Sequence, residues 1–320
     1  MIVVTGGAGF IGSCVVSKLN ALGRDDLIVV DHWDDLKKNN LKGKKFLRYF
    51  DKKEFLDFLL SDQLDPTINC IIHMGACSST TLNDERYFTE NNFEYSCSVA
   101  RWVFKHQARL IYASSAATYG DGSLGYKDDE EAIRVLKPLN FYGQSKQKFD
   151  EWVLDHLAFD KVVGLKFFNV FGPNEYHKGD MQSVVAKSYQ RLMGEGKMSL
   201  FKSYHPKYSD GEQRRDFIYI KDAVDIVMYF FDHPEINGLF NVGTGSARSW
   251  NELAHALFDA VKKPPVMEYI EMPEMIKLKY QYFTQAEMDK LRRVGYSKPF
   301  TPLKEAVKDY VGYLKDHRYL

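Results

Sequence analysis

An α/β fold, with a doubly wound parallel sheet and a smaller C-terminal lobe, is what this 320-residue sequence predicts. Three observations predict it. Short apolar runs alternate with helix-length segments through the first half, the pattern of a parallel sheet covered on both faces. A glycine-rich turn, Gly6-Gly7-Ala8-Gly9-Phe10-Ile11-Gly12, joins the first run to the first helical segment. After Phe171-Gly172-Pro173 the chain becomes richer in basic and polar residues up to about Asp216, so the organisation changes there.

The runs are taken in order. Ile2-Val3-Val4 leads through the glycines into Cys14 to Leu19, a helix; Leu27 to Val30 is a second buried strand ending at Asp31. Lys45 to Tyr49, Cys70 to Met74, Arg109 to Ala113 and Val162 to Phe168 are further strands. Tyr142 and Lys146 begin a helix that continues through Phe149, Trp152, Val153 and Leu157. Phe217 to Ile220 and Leu239 to Val242 are again strand-like, with a helix starting near Asp222 between them. That pattern predicts a second lobe interrupted by a return to the first sheet. No repeat, low-complexity stretch or linker divides the chain.

Composition narrows the function classes. Hydrophobic residues make up 45%, an ordinary globular share, and 43 basic residues balance 43 acidic ones. Such a balance favours neither nucleic acid nor a membrane surface as partner. The chain opens directly on a strand-like run, and no apolar run reaches the roughly 18 residues of a membrane span; a cytoplasmic protein is expected. The four cysteines, Cys14, Cys70, Cys77 and Cys97, have no paired spacing and read as reduced thiols. No metal-ligand spacing appears, so no metal is expected.

The chemistry-bearing residues lie at the strand ends. A glycine turn that follows a strand and opens a helix brings backbone N–H groups and the helix dipole onto a pyrophosphate. Read so, the sheet is Rossmann-type, and a turn without ligand is the plain alternative. Asp31, ending the second strand, suits the adenosine ribose of NAD. Lys37, Lys38, Lys52 and Lys53 follow closely and equally suit the 2′-phosphate of NADP or a merely solvated basic face. The residues alone leave that preference open. Tyr142 and Lys146, four apart, share one helix face; the lysine's charge, with that of an oxidised nicotinamide, is expected to lower the phenol's pKa toward phenolate. Ser115, after the run ending at Tyr112, would face the ligand crevice and hydrogen-bond a reacting oxygen.

Together these residues resemble the extended short-chain dehydrogenase/reductase family of nucleotide-sugar epimerases and dehydratases. Within it the closest likeness is to the branch that epimerises an ADP-heptose at C6. It rests on Gly75-Ala76-Cys77-Ser78-Ser79-Thr80-Thr81, Ala113 to Gly120, Pro138 to Gly143, Phe168 to Gly179 and Tyr280 to Ala286, and covers essentially the whole chain. The resemblance implies an isomerase that oxidises and re-reduces its sugar with bound NADP, in preference to NAD, and so supplies the heptose of the lipopolysaccharide inner core. It implies Tyr142 and Lys178 as two acid/bases, with Ser115 beside the reacting oxygen. Cofactor contacts would come from Gly6, Gly9, Phe10, Ile11, Gly12, Asp31, His32, Lys38, Lys53, Met74, Gly75, Ala76, Cys77, Ser78, Asn91, Lys146, Val170 and Lys178. Asn169, Asp180, Lys187, Phe201, Arg215 and Tyr280 would face the ADP-sugar. Arg215 suits the diphosphate, since a guanidinium can bind two oxygens at once; a surface arginine is the plain alternative.

The implied division is an NADP-binding Rossmann domain over 1–170, with a returning segment at about 216–245, and a substrate-binding lobe from 171–215 and 246–320. Asp180 and Lys187 depart from some relatives, which have serine and histidine there, and Lys202 to Gln213 is a longer stretch than in some. A homo-oligomer, such as a pentamer, is also implied. Another nucleotide-sugar enzyme, such as a UDP-hexose 4-epimerase, is the nearest rival reading. A non-catalytic cofactor sensor is the rival from a different class.

Overall fold

The computed structural model describes residues 1–277 and 280–320. Its centre is a seven-stranded, all-parallel sheet. Six strands come in chain order before Phe168: β1 (Ile2–Thr5), β2 (Leu27–Asp31), β3 (Arg48–Asp51), β4 (Cys70–His73), β5 (Arg109–Ser115) and β6 (Val162–Phe167). Three short strands follow, β7 (Asn169–Phe171), β8 (Met198–Phe201) and β9 (Arg214–Tyr219), before β10 (Gly238–Val242) rejoins the sheet beside β6. The spatial order is β3-β2-β1-β4-β5-β6-β10.

Burial on both faces explains why these strands read as continuous apolar runs. Successive side chains point to opposite faces. Val3, Ile28, Val30 and Ile71 pack with Phe55, Trp102 and Phe149. Ile2, Val4, Val29 and Ile72 pack with Cys14, Leu19, Ile226 and Val227 on the other side. The covering helices include α1 (Phe10–Ala21), α2 (Lys52–Leu60), the short α3 (Glu85–Phe88), α4 (Tyr95–His106) and α5 (Phe141–Asp155). Beyond them come α6 (Val184–Glu195), α7 (Ile220–Asp232) and α8 (Trp250–Val261).

Four boundaries differ from the sequence reading. The third strand is Arg48–Asp51 rather than 45–49, because its register pairs Arg48 with Ile28 and Asp51 with Asp31. α5 stops at Asp155; Leu157 lies beyond it with a φ of 49° and an exposed side chain. α7 begins at Ile220, directly after β9. The strand around Phe217 does not join the main sheet: β9 pairs in parallel with β7 and antiparallel with β11 (Ala247–Ser249). The segment that returns is therefore α7, packed on α1, with β10.

β8 pairs with β12 (Met267–Ile270), and the helix Leu303–Asp316 packs against α8. Among the described residues, no helix is long and apolar enough to cross a membrane. The carboxyl ends of β1, β4 and β5 lie together, and β1 sits between β2 and β4, where the strand order reverses. Open parallel sheets bind ligands outside this point.

Candidate active site

The site begins with the turn after β1. Gly6 has a φ of 63°, and a Cβ there would lie 2.6 Å from Gly75 Cα. Only glycine lets the turns after β1 and β4 approach so closely. A Cβ on Gly12 would lie 2.1 Å from Gly6 O, so the first turn of α1 packs directly on the loop. Gly9, the N-cap of α1, offers no side-chain acceptor to that helix's first N–H groups. They are left for an anion.

Asp31, buried at the end of β2, organises the next part. It accepts hydrogen bonds from Ala8 N at 3.0 Å, His32 N at 2.8 Å and Lys37 Nζ at 2.9 Å. A pocket of ≈ 210 Å³ joins Asp31, His32, Lys37, Lys52, Cys77 and Asn91; Gly6, Gly75 and Ala76 also border it. Of the four lysines near Asp31, two line this pocket. Lys38 and Lys53 are exposed, and Lys37 and Lys52 line the pocket in their place. Lys38 opens a short 3-10 helix, and Lys53 falls in the first turn of α2, whose N-cap is Asp51. Lys52 Nζ donates to Asn91 Oδ1 at 2.7 Å, and burial lowers its pKa.

Asn92 is a residue the sequence reading missed. It follows Asn91 in a π-helical turn, Thr89–Glu94, ahead of α4; such turns are rare and often sit at functional sites. Its side chain accepts from Cys77 N at 2.8 Å and donates to Cys77 O at 2.9 Å and to Ser145 Oγ at 3.0 Å. It thereby ties the Met74–Ser78 segment to α5 at the residue before Lys146. A signal existed in the paired asparagines, but nothing in sequence separates the one facing the pocket from the one facing inward.

α5 starts because Asn140 caps it, accepting from Gly143 N at 2.8 Å. Tyr142 is half-buried in its first turn, and one turn later buried Lys146 donates to Ala113 O at 2.7 Å. The protein's own groups do not by themselves lower the tyrosine pKa. Burial raises the phenol, and the hydrogen bond with Ser115 opposes that. Lys146 is itself lowered to about 8 by burial, with Asp150 opposing, and it is committed to the end of β5.

A cavity of ≈ 320 Å³ joins Ser115, Tyr142, Asn169, Lys178, Phe10 and Ile11, with Val170 also on its wall. Lys178 Nζ lies 5.0 Å from the Phe10 ring centroid. Burial lowers its pKa, Glu175 opposes, and the charge of Lys187 lowers it further. Burial thus disfavours the charged form of both groups, the ammonium of Lys178 and the phenolate of Tyr142.

A larger cavity, ≈ 670 Å³, opens between Asn140, Gln144, Arg215 and Tyr280. Arg215 is 7% exposed, its guanidinium over the rings of Tyr280 at 5.0 Å and Trp250 at 5.8 Å. Trp250 Nε1 donates to Tyr280 Oη at 2.9 Å, which fixes that ring. Among the described residues no carboxylate pairs with Arg215. Asp180 is exposed beside the Lys178 turn, and Lys187 is exposed on α6. Phe201 ends β8, and its carbonyl accepts from Gln213 Nε2 at 3.3 Å. These three do not line either cavity.

The residues present fit a nicotinamide dinucleotide. The glycine cradle leaves no room for a Cβ, Asp31 and Lys37 wait where a ribose would lie, and Tyr142 and Ser115 stand further along the crevice.

Comparison with known proteins agrees. Across 97% of this chain and 97% of its own length, the ADP-L-glycero-D-manno-heptose-6-epimerase of Nitratidesulfovibrio vulgaris (strain DP4) is 50% identical. The protein of that name from Fusobacterium nucleatum is 44% identical over 100% of both chains. The crystal structure of Helicobacter pylori ADP-L-glycero-D-manno-heptose-6-epimerase superposes with a TM-score of 0.81 at 28% identity, covering 98% of this chain and 96% of that one. The profile of the NAD dependent epimerase/dehydratase family matches residues 2–243, the span holding the glycine cradle, Tyr142, Lys146 and Lys178. With that match and these relatives, the chain belongs to the NAD dependent epimerase/dehydratase family.

Proposed function

We propose that this enzyme is an isomerase that inverts C6 of ADP-D-glycero-D-manno-heptose to give the L-glycero epimer. The observation that carries the reading is the shared cavity of Tyr142 and Lys178, with Ser115 between the strand end and the phenol. A one-way dehydrogenase needs one proton carrier; inversion through a ketone can use two, one for each face presented.

A bound nicotinamide dinucleotide supplies the hydride acceptor and donor, so C6 is oxidised and re-reduced with no net redox change. The chain's residues manage the proton and the sugar. The base within reach of the C6 hydroxyl takes its proton as the C6–H bond breaks. When the ketone presents its other face, the second carrier gives a proton to the carbonyl oxygen. Ser115 donates to that oxygen in both poses. Lys146 and Asn92 keep α5 in register with β5 and with the Met74–Ser78 segment. Arg215, a buried cation without a carboxylate partner among the described residues, takes the diphosphate, and Tyr280 lies beneath it.

The reading extends to the cofactor type. Lys37 and Lys52 flank the pocket beside Asp31, and two ammonium groups there favour the 2′-phosphate of NADP over NAD. A cytoplasmic homo-oligomer that supplies lipopolysaccharide heptose completes the proposal, on the resemblance drawn from the sequence motifs alone.

The test is to give the purified protein ADP-D-glycero-D-manno-heptose with no added cofactor and resolve the C6 epimers by NMR. The L-glycero epimer is expected, formed by cofactor carried through purification. No conversion even with NADP+ supplied overturns the reading, and UDP-hexoses are the next substrates to offer.

A further inference from the structure

Asn40 joins three segments that the reaction needs in register. It lies in the short 3-10 helix Lys38–Leu41, just beyond the lysine that pairs with Asp31. Its side chain is 1% exposed. Nδ2 donates to Ala8 O, in the glycine turn, at 2.9 Å, and to Asn174 O at 3.0 Å. It also stands 3.2 Å from Nδ1 of His177, the residue before Lys178. Two carbonyl acceptors fix which end of the amide points inward. Among the described residues Oδ1 has no partner, so the contacts that hold the residue are made by its donors. Burial lowers the pKa of His177 to about 4, which leaves its ring neutral and able to accept.

The loop on the other side is equally constrained. Asn174 is fully buried with a φ of 77°, and its Nδ2 donates to Ser13 Oγ of α1 at 2.9 Å. Only three residues separate Asn174 from Lys178, and Lys178 N donates to Glu175 O at 3.0 Å. A displacement of Asn174 therefore carries Lys178 with it.

We infer that Asn40 is a positioning residue that couples the adenosine end of the dinucleotide site to Lys178, so that filling the Asp31–Lys37 pocket orders the Asn174–Lys178 loop. The coupling passes from Lys37, through the 3-10 helix, to one amide bonded to both the glycine turn and the base-bearing loop. It rests on the proposal that the pocket takes a dinucleotide.

The experiment is hydrogen exchange followed by mass spectrometry on the full chain, cleared of cofactor, with adenosine 2′,5′-bisphosphate as probe. That probe fills the adenosine half and is too short to touch Lys178. Slower exchange is expected in the peptide spanning 174–178 as well as in those spanning 6–12 and 31–41. Protection of 6–12 and 31–41 with no change at 174–178 overturns the coupling and leaves the dinucleotide reading standing. No protection anywhere overturns both. In Asn40→Ala the protection at 174–178 should disappear while that at 6–12 persists. Its kcat should fall about 10-fold or more, with KM for the nucleotide sugar nearly unchanged, as expected for a misplaced reacting group. Asn40→Ser, which restores a donor, should recover part of both. A variant that keeps full protection at 174–178 overturns the inference.

Discussion

Lys37 Nζ and Asp31 Oδ1 lie 2.9 Å apart in the lining of the pocket that also holds Lys52, an ammonium held by the carboxylate that on the proposed reading would engage a ribose. A phosphate entering the pocket meets that ammonium and Lys52 together. Removing both, as Lys37→Ala with Lys52→Ala, should weaken NADP+ binding by roughly 100-fold or more, since charge-assisted hydrogen bonds contribute about 1.5–3 kcal/mol each. NAD+ affinity should move far less. Equal losses for both dinucleotides, measured by calorimetry, would rule out a phosphate role for these lysines.

Tyr142→Phe and Lys178→Met should each slow epimerisation by about 10²–10⁴-fold, the range for a positioned acid or base. Both residues sit beside open cavity, so melting temperature should hardly change. Turnover near the parent rate in both variants would remove them from the chemistry.

Arg215→Ala should raise KM for the ADP-sugar by roughly 10–100-fold, from loss of a charged donor to a diphosphate. Cofactor affinity, read separately by fluorescence, should stay put. A loss confined to the cofactor would move Arg215 to the other ligand.

Behind the site, Asp150 and Lys166 form a fully buried pair at 3.3 Å. Asp150 also accepts from Tyr112 Oη at 2.9 Å and Ser114 Oγ at 2.7 Å, and Lys166 donates to Thr118 Oγ1 at 2.7 Å. Asp150→Ala leaves a buried cation without its carboxylate and should cost about 3–5 kcal/mol in urea unfolding. Asp150→Leu combined with Lys166→Met should recover much of it. A single variant as stable as the parent would contradict the network.

His73 is buried between Thr5 Oγ1 at 2.6 Å and Ser96 Oγ at 2.9 Å, and burial lowers its pKa from 6.5 to about 3. Between those values the unfolded chain takes up a proton that the folded chain refuses. Stability is therefore complete above the unfolded value and falls as pH drops through the window, by up to about 1.4 kcal/mol per unit. His73→Gln, which keeps a donor and an acceptor, should flatten this part of the curve. Parallel stability curves for parent and variant would assign the acid limb to other groups.

Much of this was legible in the sequence. Apolar runs separated by helices dictate a covered parallel sheet, because each strand must hide both faces. The glycine turn and the Tyr142–Lys146 spacing fix a dinucleotide crevice, because backbone sterics and helical period are local properties. Tertiary structure decided the rest. Whether Lys37 or Lys38 faces the pocket depends on where a short 3-10 helix begins. The direction of the Tyr142 pKa depends on burial and on where the Lys146 ammonium is committed. Asn40, Asn92 and Asp150 gain meaning only from partners 15 to 137 positions away. Sequence records local conformation and hydrophobic period; hydrogen bonds and desolvation arise between segments that only folding brings together.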